Sequence, residues 1–126
     1  MTKIARYLFG EVKAKTIATR SINGQHWYMA RDICNLLGIA NHSQAVSRER
    51  GQDKFTHDDS EHRLETIYIG GRTKKQVLMV NDNGMLKLIL QGISTTALEV
   101  QEQARKAPPS LVPVSWQTAL LKKDDI

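Results

Sequence analysis

Alternating apolar and polar positions occur in two separate parts of the chain and predict β-strands in both. The first part is residues 9–29, where two strands are expected on either side of Asn23-Gly24. An Asn-Gly pair favours the two-residue turn of a β-hairpin, because both residues tolerate positive φ. The second part contains predicted strands over residues 66–69 and 76–80. The pattern therefore indicates two hairpins.

Between the hairpins, apolar positions follow the helical period. A stripe of apolar side chains over residues 30–37 predicts a helix, and Gly38 follows at the position where left-handed backbone angles end a helix. A second, shorter helix is expected over residues 43–50, after a polar turn that supplies an N-cap. Residues 51–65 are polar without a clear period and are interpreted as a loop.

The second half of the chain adds two predicted helices. Asn81 has the character of an N-cap, and the strongly apolar helix that follows it should be a core element that ends at Gly92. A last helix is expected over residues 96–107, before two consecutive prolines.

These elements define an α+β fold in which small antiparallel β-hairpins pack with about four short helices. The chain of 126 residues can form one hydrophobic core, and its 40% hydrophobic and 25% charged residues are ordinary for a folded domain. The domain is assigned to residues 1–107, and residues 108–126 to a C-terminal tail that contains prolines.

Charge and cysteine content narrow the functional classes. Eighteen Lys and Arg against thirteen Asp and Glu give a net charge of +5, which favours a polyanionic partner. Cys34 is the single cysteine, so an intramolecular disulfide or a cysteine-based zinc cluster is excluded and a reducing cytoplasm is expected. No apolar run is long enough for a signal peptide or a membrane span.

The order of strand, helix, glycine turn, helix and basic hairpin is that of a helix-turn-helix with a wing. In this interpretation Ala45 and Val46 face the core, and polar side chains around them meet the major groove. The residues expected to meet DNA here are Asn41, Ser43, Gln44, Ser47, Arg48 and Arg50. The alternative is a pair of ordinary amphipathic helices, since the turn before Ala45 is at least a residue longer than the standard motif.

Cationic side chains elsewhere add predicted contacts with the DNA backbone. Residues 70–75 are expected to form a flexible turn whose tip presents Arg72, Lys74 and Lys75 to phosphates. The same charges would also suit a merely soluble hairpin end. Lys54 and Arg31 are the remaining predicted phosphate contacts.

Other reactive side chains do not assemble into a predicted active site. Residues 57–62 contain His, Asp and Glu at spacings that match no metal-ligand set. Cys34 lies on the apolar stripe and is expected to be buried, and Asp32 near a helix start is stabilised by the helix dipole. Trp27 and Tyr28 alternate on a strand, so one is expected in the core and the other outside. We therefore predict no enzyme, no metal and no cofactor.

Two blocks of sequence resemble the Bro-N family, the N-terminal domain of phage antirepressors and viral Bro proteins. The first block is Trp27-Tyr28-Met29-Ala30-Arg31-Asp32-Ile33-Cys34 followed by Leu36-Leu37-Gly38-Ile39. The second comprises Val77-Leu78-Met79-Val80, Asn81, Gly84, Met85 and Leu88-Ile89-Leu90. The resemblance covers roughly residues 9–107. It implies a DNA-binding domain with an antirepressor-like role in the regulation of a phage or prophage, in the bacterial cytoplasm.

Two functions remain open at this point. The first is binding of double-stranded DNA by a homodimer that associates through the C-terminal helix and tail. The second is a protein-interaction module that binds a phage repressor or host factor without DNA. Its expected anchors are the helix over residues 96–107 and the tail side chains Leu111, Val112, Val114 and Trp116.

Overall fold

The N-terminal segment is helical. The computed structural model describes residues 2–46, 61–69, 73–112 and 116. Helix α1 (Lys3–Phe9) begins at Thr2, whose hydroxyl oxygen accepts the N–H of Ala5 at 3.2 Å, and α2 (Glu11–Ala14) follows directly. The prediction of a strand from residue 9 was therefore wrong. The helical spacing of the buried side chains explains the outcome; these are Ile4, Ala5, Leu8 and Phe9.

Four strands form one antiparallel sheet rather than two separate hairpins. They are β1 (Thr19–Ile22), β2 (Gln25–Met29), β3 (His62–Ile69) and β4 (Thr73–Val80), in the order β1-β2-β4-β3. The predicted turn between β1 and β2 is confirmed, since Asn23 and Gly24 have φ values of 53° and 79°.

The second hairpin differs from its prediction at both ends. β3 begins at His62, inside the segment interpreted as a loop, and its register with β4 runs from His62↔Val80 to Ile69↔Thr73. Lys74 and Lys75 therefore belong to β4 and do not sit at the tip of a turn over residues 70–75. The physical reason is that pairing through Thr73 extends the ladder and leaves only residues 70–72 between the strands.

The predicted helices agree closely with the structure. α3 (Ala30–Leu37) has the predicted bounds, and α4 (His42–Val46) begins one residue earlier than expected. α5 (Asp82–Gln91) starts after Asn81, whose side chain accepts the N–H of Gly84 at 3.0 Å, and α6 (Thr95–Lys106) completes the set. The α+β prediction is confirmed.

The main core lies on the face of the sheet that packs against the helices. Tyr28 from β2 and Leu88 from α5 are fully buried there. Val112 and Trp116, expected as anchors in the alternative function, are buried in the same core, and the indole N–H of Trp116 donates to Asn83 Oδ1 at 3.3 Å. They are not free to anchor a partner, because their apolar surface is already removed from water.

The opposite face of the sheet carries a second, smaller cluster. Trp27 packs there with Val77 and Met79, and the guanidinium of Arg63 lies 5.4 Å from the centre of the indole ring. Trp27 and Tyr28 do point to opposite faces, as alternation requires, but both are buried. The expectation that one of them faces outward was wrong, because this second cluster covers the face of the sheet away from the helices.

None of the helices in the described part of the chain combines the length and the apolar character needed to cross a bilayer.

Candidate nucleic-acid interface

The helix pair α3–α4 is held in position by the turn between its helices. Gly38 adopts φ 72°, and the next N–H, that of Ile39, donates to the carbonyl of Cys34 at 2.9 Å. The hydroxyl of Ser94 donates to the carbonyl of Leu37 at 2.7 Å. The end of α3 is therefore fixed both by its own cap and by the segment that precedes α6.

The short helix α4 is anchored from its buried side. Ala45 and Val46 are both buried, which confirms the prediction that they face the core. The side-chain amide of Gln91 donates to the carbonyl of Ala45 at 3.0 Å and ties α4 to the end of α5. These contacts leave the opposite side of α4 facing away from the core, where Ser43 is exposed.

A groove opens beside β4 where β2 ends and the chain enters α3. The pairing of β2 with β4 comprises Tyr28↔Val80 and Met29↔Met79, and beyond that point the edge of β4 faces the helix pair. The groove has a volume of about 370 Å³. Its lining comes from β2, α3, α4, β3 and β4 and consists of Met29, Arg31, His42, Ser43, His62, Leu64, Lys75, Gln76, Val77 and Leu78.

The groove is electropositive. The side chain of Arg31 is 52% exposed, and its Nε lies 4.0 Å from an oxygen of Asp32, a weak surface contact. Lys75 is exposed on the opposite wall. None of the described residues that line the groove is acidic. Because Asp32 makes only a weak contact with Arg31 and none of the described lining residues carries a carboxylate, the groove favours an anionic ligand.

Backbone N–H groups add to the preference of the groove for an anionic ligand. The N–H of Asn81 donates to the carbonyl of Glu61, so odd-numbered residues of β4 exchange hydrogen bonds with β3. Gln76 and Leu78, at even positions, therefore direct their backbone groups away from β3 and toward the groove. Phosphate oxygens accept hydrogen bonds from backbone N–H groups as well as from cationic side chains.

The structure brings together part of the predicted site. Arg31, Ser43 and Lys75 line one groove, although they lie far apart in sequence. Asn41 lines a different pocket, of about 350 Å³, beside Ile93, and Lys74 lies in β4 but not in the groove lining. The remaining predictions lie outside the described residues: the side chain of Gln44, and Ser47, Arg48, Arg50, Lys54 and Arg72.

His42 and His62 are groove residues that sequence reasoning missed. Both were assigned to polar turns or loops, where histidines carry no positional signal. The start of β3 at His62 had no clear signal in the sequence, since Leu64 is the one apolar residue among His62, Leu64 and Thr66.

The side chains considered for other chemistry have structural roles. An oxygen of Asp32 accepts the N–H of Ala18 at 2.9 Å, which joins the start of α3 to the segment before β1. Cys34 is 1% exposed, as predicted, and burial raises the pKa of its thiol to about 12. Within the described residues, no three His, Cys, Asp or Glu side chains gather as a metal site would require.

Fold and groove together define the class: an α+β domain in which a capped helix pair stands beside a β-hairpin and encloses a basic groove. Residues 16–105 match the family described as "BRO family, N-terminal domain" (Bro-N). The chain belongs to this family. Comparison with curated proteins and with solved structures gave no match.

Proposed function

We propose that this protein is a phage- or prophage-type transcriptional regulator, antirepressor-like, that binds double-stranded DNA. The observation that carries the proposal is the groove between α3–α4 and the β3–β4 hairpin, which both Arg31 and Lys75 line and in which none of the described lining residues is acidic. Membership of the Bro-N family supports it, because this family is found in phage antirepressor-like and DNA-binding proteins.

In this proposal the groove holds the sugar-phosphate backbone. Arg31 and Lys75 neutralise phosphates from the two walls, and the hydroxyl of Ser43 and the N–H groups of β4 donate to phosphate oxygens. These contacts position the duplex without reading its sequence. Reading bases is assigned to the polar side of α4 and the residues after it, among them Arg48, since arginine can donate two hydrogen bonds to guanine.

A mobility-shift experiment tests this function. The full chain at low salt should retard a random-sequence duplex, and selection from a random DNA pool should enrich a preferred site. Arg48→Ala should bind the pool with relaxed preference, since it removes a base contact rather than the phosphate contacts. No retardation at micromolar protein would reject the proposal.

A protein-interaction function is the second candidate, and one observation favours it. Ile93, before α6, and Leu98, in its first turn, are 89% and 53% exposed, and Ile93 borders the pocket beside Asn41. Such exposed apolar side chains can anchor a partner such as a phage repressor. Ile93→Asp and Leu98→Asp should then abolish repressor capture while DNA binding persists. Loss of neither activity would reject this candidate.

A further inference from the structure

β3 lies at one edge of the described sheet. The strand order is β1-β2-β4-β3, and the eight residues of β3 contain no proline. An edge strand presents backbone N–H and C=O groups in a row and can pair with a strand of another chain. Edge strands often carry features that prevent such pairing, so the side chains of β3 decide whether it is open to a partner.

The hydrogen-bond pattern shows which groups of β3 point outward. The N–H of Asn81 donates to the carbonyl of Glu61 at 3.1 Å, one position beyond the His62↔Val80 pair. In an antiparallel ladder, residues alternate between pairs that exchange hydrogen bonds and pairs that do not. Odd-numbered residues of β3 therefore bond to β4, and Leu64 directs its backbone N–H and C=O away from the sheet.

The two neighbours of Leu64 in β3 carry opposite charges. Leu64 is 61% exposed and is flanked by Arg63 on one side and Glu65 on the other. Arg63 Nη2 and Glu65 Oε1 lie 2.6 Å apart on the face opposite Leu64, and Arg20 from β1 approaches the same carboxylate at 3.3 Å. A basic and an acidic residue thus flank an exposed apolar residue.

We propose that β3 pairs in antiparallel fashion with β3 of a second copy, about a two-fold axis that passes beside Leu64. Leu64 then lies opposite the partner's Leu64, and their backbone groups exchange two hydrogen bonds. Arg63 lies opposite the partner's Glu65, and Glu65 opposite the partner's Arg63. These are non-hydrogen-bonded pairs, in which facing side chains are closest. The partner that fits this edge is the chain itself.

Charge selects this register over its neighbours. Moving the partner strand by two residues in one direction places Arg63 opposite the partner's Arg63. Moving it by two residues in the other direction places Glu65 opposite the partner's Glu65. Facing like charges are unfavourable, whereas the proposed register makes two opposite-charge pairs and buries both leucines.

The dimer would also fix the position of the two basic grooves relative to each other, and this part of the inference rests on the proposed function. Leu64 lines the groove, so the two grooves lie on the same face of the joined sheet and next to each other across the axis. Such an arrangement suits a DNA site with two-fold symmetry. The proposed dimer differs from the expected one through the C-terminal helix and tail; the tail side chains Val112 and Trp116 are buried in the protein's own core.

Sedimentation equilibrium of the full chain without DNA tests the dimer. The wild-type protein should dimerise in the micromolar range, and Arg63→Glu or Glu65→Arg should each weaken the dimer by about tenfold or more, since each creates two like-charge pairs. An equimolar mixture of the two variants should restore a heterodimer, because each chain then faces opposite charges. Changes within one chain cannot produce this rescue.

Two exposed leucines provide a matched pair of variants. Leu64→Lys should yield a monomer, whereas Leu98→Lys, on α6, should leave the dimer unchanged; circular dichroism checks that both are folded. A monomeric wild-type protein, a dimer insensitive to Leu64→Lys, or a mixture without heterodimer would overturn the proposal. Since DNA is absent, a dimer that fails to bind duplex would count against the proposed function alone.

Discussion

At the scale of single residues, burial raises the pKa values of two core side chains, Cys34 and Tyr28. Cys34 sits on the apolar stripe of α3, where removal of water disfavours its thiolate. Burial also raises the pKa of Tyr28, and the nearby carboxylate of Asp82, which accepts its hydroxyl at 2.7 Å, acts in the same direction. Both groups are therefore protonated core residues at neutral pH.

These shifts predict a loss of stability in alkali. The folded thiol of Cys34 has a pKa of about 12, against a usual value of 9.0, so above about pH 9 the unfolded chain releases a proton that the folded chain keeps. The free energy of unfolding should fall between about pH 9 and pH 12. Urea titrations at several pH values should show a shallower fall for Cys34→Ala and Cys34→Ser. Equal slopes in all three proteins would contradict this assignment.

At the scale of elements, the turn of the helix pair depends on Gly38. Its φ of 72° favours glycine, and a Cβ there would lie 3.1 Å from Ser94 Cβ. Ser94 in turn donates to the carbonyl of Leu37 and accepts the N–H of Ala97 at 3.1 Å. A side chain at position 38 would therefore disturb the ends of two helices.

Gly38→Ala should destabilise the fold by about 1–3 kcal/mol, from strain in the left-handed region and from displacement of Ser94. Gly24→Ala is the matched control, since Gly24 has φ 79° but no atom within 4 Å of its added Cβ. Chemical denaturation of both variants should show a larger loss for Gly38→Ala. If the two losses are equal, the contact with Ser94 contributes nothing.

Local signals account for the elements that the sequence predicted correctly. The stripe of α3, the cap at Asn81 and the Asn23-Gly24 turn each involve residues close together in sequence. The start of β3 was missed because an edge strand with polar residues on both faces looks like a loop. The groove was predicted only in part, since the placement of the helix pair beside β4 is a tertiary feature without a local pattern.

The hydrogen bonds of buried polar side chains likewise could not be predicted from the sequence pattern. Gln101 lies in the helix that was expected to anchor a partner, yet it is 2% exposed. Its amide donates to the carbonyls of Ile89 at 2.8 Å and Gly92 at 3.1 Å, at the end of α5. These bonds add a side-chain donor to carbonyls at the end of a helix, where the regular intrahelical donors are missing.

At the scale of the whole molecule, the segment after α6 takes part in the core. Trp116 is 1% exposed, so Trp116→Ala should lower the free energy of unfolding by about 3–5 kcal/mol. Leu98→Ala, at an exposed site, should change it by less than about 0.5 kcal/mol. Thermal and urea denaturation would measure both. A Trp116→Ala protein as stable as wild type would contradict the packing of this segment.

In the proposed function, the basic groove holds the backbone of double-stranded DNA. The most direct test is the salt dependence of the dissociation constant, measured by fluorescence anisotropy with the full chain and one duplex. Arg31→Ala/Lys75→Ala should weaken binding and reduce the slope of log K against log salt by about two, because two phosphate contacts are lost. The control Lys13→Ala/Lys15→Ala removes two exposed lysines outside this groove and should retain nearly the wild-type slope. Groove and control variants with the same slope and affinity as wild type would contradict the claim.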